Sequence, residues 1–244
     1  MADDCPVKQY ALDVAGGRIV ANKWIRLACK RHLGDLEHGA ERGLTFDDKA
    51  AKKAIDFFPM FLVFYEGQFD GKPFELMPFQ KFIVGNLFGW KTADGFRRFR
   101  TAYIELGKGN GKTPLAAGIG LYGLVADNES GAEIYAAATT REQAGILFRD
   151  AKAFAEGSPA LMRRLTVDRG NIAYEARNSF FRPVSSEHRG LDGKRPHIAL
   201  VDEIHEHPNA MVVDKMRAGT KGRRQALLFE ITNSGYDRHS VCFQ

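Results

Sequence analysis

The chain has 244 residues, of which 44% are hydrophobic and 27% are charged. This composition is ordinary for a globular protein with a sizeable core, and it excludes an intrinsically disordered chain. The net charge of +5 is a mild basic bias that would suit a polyanionic partner, while three scattered cysteines without C-x-x-C spacing argue against a disulfide framework or a zinc site.

The first 75 residues carry helical patterning. In the stretch ANKWIRLACKRHLGDLEHG (21–39), apolar residues recur near the 3.6-residue spacing of a helix. A second helix is predicted in TFDDKAAKKAIDFFPMFLVF (45–64), with Thr45 as its N-cap and a break at Pro59. We therefore expect residues 1–75 to form a helical N-terminal segment that packs on a core made by residues 76–244.

Strands and helices alternate in the next part of the chain. For the helix predicted in residues 141–156, Thr139 or Thr140 is the expected N-cap and Gly157 the expected end. The predicted order is a strand in FRTAYIEL (99–106), a helix in TPLAAGIGLYGLVA (113–126), a strand in AEIYAAA (132–138) and a helix in REQAGILFRDAKAFAE (141–156). Such alternation predicts an α/β fold with a mainly parallel sheet flanked by helices.

A glycine-rich loop, ELGKGNGKTPLAAG (105–118), joins the first strand to the first helix. It approaches the phosphate-binding pattern G-x-x-x-x-G-K-[ST], but its first glycine stands one place late, at Gly107. In this context Lys112 would reach the β- and γ-phosphates of a nucleotide, and Thr113 would bind Mg²⁺. The expected nucleotide-binding residues are Gly107, Lys108, Gly109, Asn110, Gly111, Lys112 and Thr113. The alternative is that Gly-Lys-Thr is a chance tripeptide that begins a helix.

An acidic pair follows another apolar strand in HIALVDEIHEH (197–207). Ligands of parallel sheets bind beyond the carboxyl ends of the strands, so Asp202 and Glu203 are expected near the phosphates. Asp202 is the candidate partner of the Mg²⁺ held by Thr113, and Glu203 the candidate base that orients and deprotonates the attacking water. Alone, the pair could be a solvated loop; together with the glycine-rich loop it favours a nucleotide site. The spacing of His205 and His207 does not match a zinc motif.

These motifs, in this order, resemble the ATPase domain of the large terminase subunit of tailed bacteriophages, the DNA-packaging motor. The resemblance also rests on LMPFQKFIVGNLFGW (76–90), YAAATTREQAGILFRDA (135–151) and EITNSG (230–235). It implies a RecA-like (ASCE) P-loop NTPase fold that uses ATP and Mg²⁺. It further implies that Gln80 contacts the adenine base and that Lys108 senses charge near the γ-phosphate. The residue that couples hydrolysis to movement would be Thr232, Asn233 or Ser234, with Asn233 as the first candidate.

The same resemblance implies partners. We expect double-stranded DNA, a capsid portal, a small terminase subunit and a homo-oligomeric ring, with the isolated chain a monomer or weak oligomer. A positive group supplied across the ring is expected, with Arg189 as first candidate and Arg141 and Arg149 as alternatives. The basic run KMRAGTKGRR (215–224) is the candidate DNA contact. The protein is expected in the host cytoplasm, where it would dock transiently on the procapsid. No apolar stretch approaches the roughly 18 residues of a membrane span.

Two further hypotheses remain open at this point. The chain could be half of another RecA-like P-loop ATPase such as a helicase, or a non-catalytic nucleic-acid-binding module with a relic loop. Residues 203–244 are too few for a nuclease domain, so no DNA cleavage is expected from this chain.

Overall fold

A computed structural model gives the fold and describes residues 5–186, 191–235 and 237–243. The chain divides into two compact units, an N-terminal unit of residues 1–60 and 74–99 and a C-terminal unit of residues 61–73 and 100–244. The sequence indicated one boundary after residue 75, whereas the structure groups residues 76–99 with the N-terminal helices. Within the described ranges, no helix is long and apolar enough to cross a membrane.

The N-terminal unit is mainly helical, as the patterning predicted, and its first helix packs on the second and the fourth. A two-stranded antiparallel ribbon completes it. Gly85 lies so close to Val7 that an added Cβ would stand 2.2 Å from a methyl carbon of that valine, which explains why the fourth helix joins this unit. The elements are α1 (Pro6–Ala15), α2 (Lys23–His38), β1 (Thr45–Phe46), α3 (Asp48–Phe61), α4 (Pro78–Gly89) and β2 (Trp90–Lys91).

Two details of α3 differ from the prediction. Thr45 lies in β1, paired with Lys91, and the backbone N–H of Ala50 donates instead to Asp47 Oδ1 at 2.9 Å. Pro59 lies inside the helix, which continues to Phe61. The proline removes one backbone donor from α3, and the helix ends two residues after it.

A buried ionic cluster ties α2 to the segment after β2. Asp35 is 6% exposed, accepts a hydrogen bond from Arg98 Nη1 at 2.5 Å and is also bonded by Arg42. Burial raises the pKa of Asp35, but the hydrogen bonds and charges of Arg98 and Arg42 outweigh it, so the pKa lies below its ordinary value. Arg98 also stacks over the ring of Trp90.

The C-terminal unit is built on a seven-stranded sheet that confirms the predicted α/β architecture. Its strands, in chain order, are β3 (Thr101–Glu105), β4 (Glu133–Ala138), β5 (Thr166–Val167), β6 (Ile172–Tyr174), β7 (Ser179–Ser185), β8 (Ile198–Val201) and β9 (Leu227–Thr232). The order across the sheet is β3-β9-β8-β4-β7-β6-β5. The first five strands in that order run parallel, and β6 and β5 extend the sheet in antiparallel fashion, which the sequence did not predict.

Four helices accompany this sheet: α5 (Lys112–Val125), α6 (Arg141–Glu156), α7 (Pro159–Met162) and α8 (Met211–Gly219). Thr140 caps α6 through the N–H of Gln143, and Gly157 follows its end, both as predicted. Gly123 faces the sheet so closely that an added Cβ would stand 2.3 Å from Ile198, and Gly120 would meet Phe181 at 2.6 Å. These glycines let α5 lie tightly against the sheet, which fixes the start of α5 relative to the strand ends.

Candidate nucleotide site

Three loops meet at one edge of the sheet because β3, β9 and β8 are neighbouring parallel strands. Their carboxyl ends are Glu105, Thr232 and Val201. The glycine-rich loop, the acidic pair and the segment after Thr232 therefore lie side by side, although they are far apart in sequence. Such an edge is where open parallel sheets bind ligands.

The glycine-rich loop has a backbone shape that favours glycine at two positions. Gly109 has φ +82° and Gly111 has φ +69°, both in the left-handed region. Asn110 Nδ2 closes the loop by donating to Gly107 O at 3.0 Å, and the side chain of Lys108 is exposed. The loop leads directly into the N-terminus of α5, whose first N–H groups have no helical acceptors and suit an anionic phosphate.

Lys112, the first residue of α5, is only 6% exposed. Its ammonium donates to Leu106 O at 3.0 Å, to Gly107 O at 3.4 Å and to Asn233 Oδ1 at 2.6 Å. Each of its three protons therefore has an acceptor. A bound phosphate would have to replace at least one of these contacts.

Thr113 and Asp202 bring two oxygens together. The hydroxyl of Thr113 donates to Asp202 Oδ2 at 3.3 Å, and the backbone N–H of Glu203 donates to Asp202 Oδ1 at 2.8 Å. Burial, and then the charge of Glu203, raise the pKa of Asp202 to about 6, against the opposing effects of the Glu203 N–H, Thr113 and Lys112. The carboxyl is therefore ionised at neutral pH, as a cation ligand must be.

This oxygen pair fits Mg²⁺. Mg²⁺ is a hard cation that takes oxygen ligands and, in phosphate sites, uses few protein side chains beside the phosphates. A buried carboxylate next to a threonine hydroxyl supplies such a donor set. In the described part of the chain, no group of three or more His, Cys, Asp or Glu residues is placed to hold a metal.

Glu203 has a strained backbone and a partly exposed carboxylate. Its φ of +48° lies in the left-handed region, which costs a non-glycine residue about 1 kcal/mol. Its Oε2 accepts from Asn233 Nδ2 at 3.2 Å and lies 3.2 Å from His205 Nδ1. Asn233 thus contacts Lys112 through its side-chain oxygen and Glu203 through its side-chain nitrogen. It joins the end of the glycine-rich loop, called the phosphate loop below, to the candidate base.

The predicted residues outside these three loops are Gln80, Arg189, Arg141 and Arg149. Gln80 belongs to the N-terminal unit, where it is buried and its Oε1 accepts from the N–H of Met77 at 2.9 Å. Arg189 lies outside the described residues. Arg141 and Arg149 are exposed on α6.

The basic run 215–224 is partly structural. Its first half belongs to α8. Arg223 Nη1 donates to Glu129 Oε1 at 2.8 Å, while Arg217 contacts Asp214 and Glu230. These arginines neutralise carboxylates of the same unit, which leaves less of the run for DNA than its composition indicated.

His205 is the site residue that sequence reasoning missed. It was weighed there as a metal ligand only, yet its ring contacts the carboxylate of Glu203. Its position two residues after the candidate base, in a short turn, was the available signal. His207 is buried and its Nε2 lies 3.1 Å from Asp202 O, so it supports the backbone of the acidic pair.

Comparison with known proteins places this site in a family. The family described as "Terminase large subunit, ATPase domain" matches residues 78–244, which include all three loops of the site. The terminase large subunit of Enterobacteria phage HK97 is 29% identical over 155 residues, covering 62% of this chain and 30% of that protein. Protein YmfN of Escherichia coli K12 is 42% identical over 52 residues, covering 21% of this chain and 11% of YmfN.

The fold also matches a solved structure. The crystal structure of the HK97 bacteriophage large terminase superposes with a TM-score of 0.68 at 23% identity, covering 79% of this chain and 39% of that one. The chain spans less than half of the length of each of these relatives. The match of the family over residues 78–244 shows that the chain belongs to the terminase large subunit ATPase domain family.

Proposed function

We propose that this chain binds ATP with Mg²⁺ and hydrolyses it to drive double-stranded DNA into a viral procapsid. Membership of the family implies ATPase activity. One observation carries the proposal for this chain. Asn233 joins the Lys112 ammonium at 2.6 Å to the Glu203 carboxylate at 3.2 Å, beside the Thr113 and Asp202 oxygens. A lone glycine-rich turn would not need these groups together.

Each side chain has a defined task in this proposal. The loop from Gly107 to Gly111 would cradle the phosphates with its backbone N–H groups, and Lys112 would exchange its carbonyl acceptors for phosphate oxygens. Thr113 and Asp202 would hold Mg²⁺, which neutralises phosphate charge when bound. Glu203 would orient the attacking water and take its proton.

Two further groups complete the nucleotide contacts. The exposed Lys108 would approach the γ-phosphate as a point charge, and Gln80 would contact the adenine base. Asn233 would respond to nucleotide binding, because a phosphate that draws Lys112 away would break the hydrogen bond from Lys112 to Asn233 Oδ1. Its contact with Glu203 then links nucleotide occupancy to the position of the base.

The remaining parts of the proposal rest on relatives that are much longer than this chain, so they concern the whole protein. A motor of this kind would assemble as a homo-oligomeric ring on the capsid portal in the host cytoplasm. It would receive double-stranded DNA with the help of a small terminase subunit. Arg189 would complete a neighbouring site with positive charge, and DNA cleavage would not come from these residues.

The test is phosphate release from ATP by the purified chain. We expect turnover that disappears when Mg²⁺ is chelated and that rises when double-stranded DNA is added. Turnover stimulated by single-stranded but not double-stranded DNA would favour a helicase half instead. Binding of ATP without turnover under any of these conditions would favour a non-catalytic module with a relic loop.

A further inference from the structure

The ring of His205 lies against the carboxylate of the candidate base. Its Nδ1 is 3.2 Å from Glu203 Oε2 and 3.1 Å from Thr232 Oγ1, and its side chain is 16% exposed. We propose that His205 is a positioning residue that holds the Glu203 carboxylate in the orientation required to activate water. This inference rests on the proposed function, because it assigns a role within the same site.

The hydrogen bonds around Thr232 define the tautomer of His205. The hydroxyl of Thr232 has a single proton, which it donates to Asn233 O at 2.9 Å, and it accepts from the backbone N–H of His205 at 3.1 Å. An unprotonated Nδ1 would therefore face two acceptors, the Thr232 oxygen and the Glu203 carboxylate, without any proton between them. A proton on Nδ1 removes this conflict: the N–H donates to Thr232 Oγ1 at 3.1 Å, and the Glu203 carboxylate lies 3.2 Å from the same nitrogen, where the N–H dipole attracts it.

The far side of the ring faces a second carboxylate. His205 Nε2 lies 3.8 Å from Glu206 Oε1, and the other oxygen of Glu206 accepts from Gln143 Nε2. Gln143 is fixed in turn at the start of α6, where its Oε1 accepts from the hydroxyl of Thr139 at 2.8 Å. The imidazole is thus placed between the base and a residue anchored on a helix.

His205 differs from Asn233, the residue that donates a hydrogen bond to Glu203. Asn233 contacts Lys112, so its position depends on what the ammonium of Lys112 binds. The other partners of His205 are Thr232 and Glu206, and neither of these contacts involves the phosphate loop. His205 can therefore hold Glu203 both before and after a nucleotide draws Lys112 toward its phosphates.

The geometry allows a sharp comparison of two amide replacements. The amide nitrogen of asparagine can occupy the position of Nδ1, whereas that of glutamine corresponds to Nε2. We expect His205→Gln and His205→Leu to lower kcat for ATP by about 10- to 100-fold, because the Glu203 carboxylate loses the attraction of the Nδ1–H dipole. His205→Asn should recover most of that loss. KM and the Kd for ATP should stay within about twofold of wild type in all three, because the phosphate loop is untouched.

His239→Leu is the matched control, since it removes an exposed histidine of the same unit. It should leave kcat unchanged. Wild-type kcat in His205→Gln, or equal kcat loss in the asparagine and glutamine variants, would overturn the positioning role while the proposed function stands. If His205→Leu does not fold, the comparison of asparagine with glutamine still decides. No turnover by the wild-type chain would instead overturn the proposed function itself.

Discussion

Removing the ammonium of Lys112 tests whether the glycine-rich loop binds phosphate. In the structure this group makes three hydrogen bonds, to Leu106 O, Gly107 O and Asn233 Oδ1, at 3.0, 3.4 and 2.6 Å. On binding ATP it would trade at least one of these neutral acceptors for a charged phosphate oxygen. A hydrogen bond to a charged group contributes about 1.5–3 kcal/mol, and 1.4 kcal/mol corresponds to a tenfold change in affinity. Lys112→Ala should therefore weaken ATP binding by about 10- to 150-fold.

The assay is a calorimetric titration of ATP in the presence of Mg²⁺, on wild type, Lys112→Ala and a control. Lys221→Ala is a suitable control because it removes an exposed lysine of the same unit. Thermal unfolding of each variant without nucleotide checks that the unit remains folded. If the folded Lys112→Ala variant binds ATP within twofold of wild type, the phosphate loop is not where the structure indicates.

Three other changes have defined outcomes. Asp202→Asn should raise the Mg²⁺ concentration needed for half-maximal turnover by at least about tenfold, because it replaces a carboxylate ligand by a neutral amide; an unchanged requirement would exclude Asp202 as a ligand. Asp35→Asn should lower the free energy of unfolding by about 3 kcal/mol in urea titrations, because the largely buried Arg98 is left without its carboxylate. The pKa of Asp35 is lower in the folded than in the unfolded chain. Its contribution to the free energy of unfolding is therefore present above about pH 4 and is lost as the pH falls through the pKa of the folded state. A difference in unfolding free energy between wild type and Asp35→Asn that does not narrow in acid would contradict this. Turnover per chain should rise with protein concentration, and mixing Arg189→Ala with Lys112→Ala subunits should restore part of it; full activity of a dilute monomer would remove the need for a residue from a neighbour.

Local patterns in the sequence predicted the elements that carry the site. Residues 198–201 form an uninterrupted apolar run that ends at Asp202, and β8 has those bounds. Thr140 lies immediately before a helical pattern. Gln143, three residues later, can accept a hydrogen bond from the backbone N–H of Thr140 and so complete a capping box. Such signals depend on neighbours within a few residues, so they can be interpreted without knowledge of the fold.

The errors came from contacts between distant segments. Thr45 looked like a helix cap, but pairing with Lys91 takes it into a strand. The sequence placed residues 76–99 with the core, whereas the structure groups residues 74–99 with the N-terminal helices, where Gly85 permits a close approach to Val7. Arg223 belongs to the basic run proposed as a DNA contact, and its ion pair with Glu129 at 2.8 Å joins residues 94 positions apart in sequence.

The same limit applied within the site. Motif order indicated which segments would meet, but not that β9 lies between β3 and β8 and so brings Asn233 between Lys112 and Glu203. The role of His205 depended on its distance from Glu203, which the motif DEIHEH does not contain. Side-chain contacts of this kind follow from strand order and from the turn at Glu203, whose positive φ no local pattern indicated.

The most direct test of the proposed ATPase is single-turnover hydrolysis by Glu203→Gln, measured with ATP binding on the same sample. Glutamine keeps the size of the side chain and can still contact Asn233, but it cannot take a proton from water. The account predicts an ATP Kd within about twofold of wild type and a hydrolysis rate lower by at least about 100-fold. Glu142→Gln, an exposed glutamate of α6, should change neither quantity. Hydrolysis by Glu203→Gln at the wild-type rate would contradict the account, and so would loss of ATP binding equal to that of Lys112→Ala.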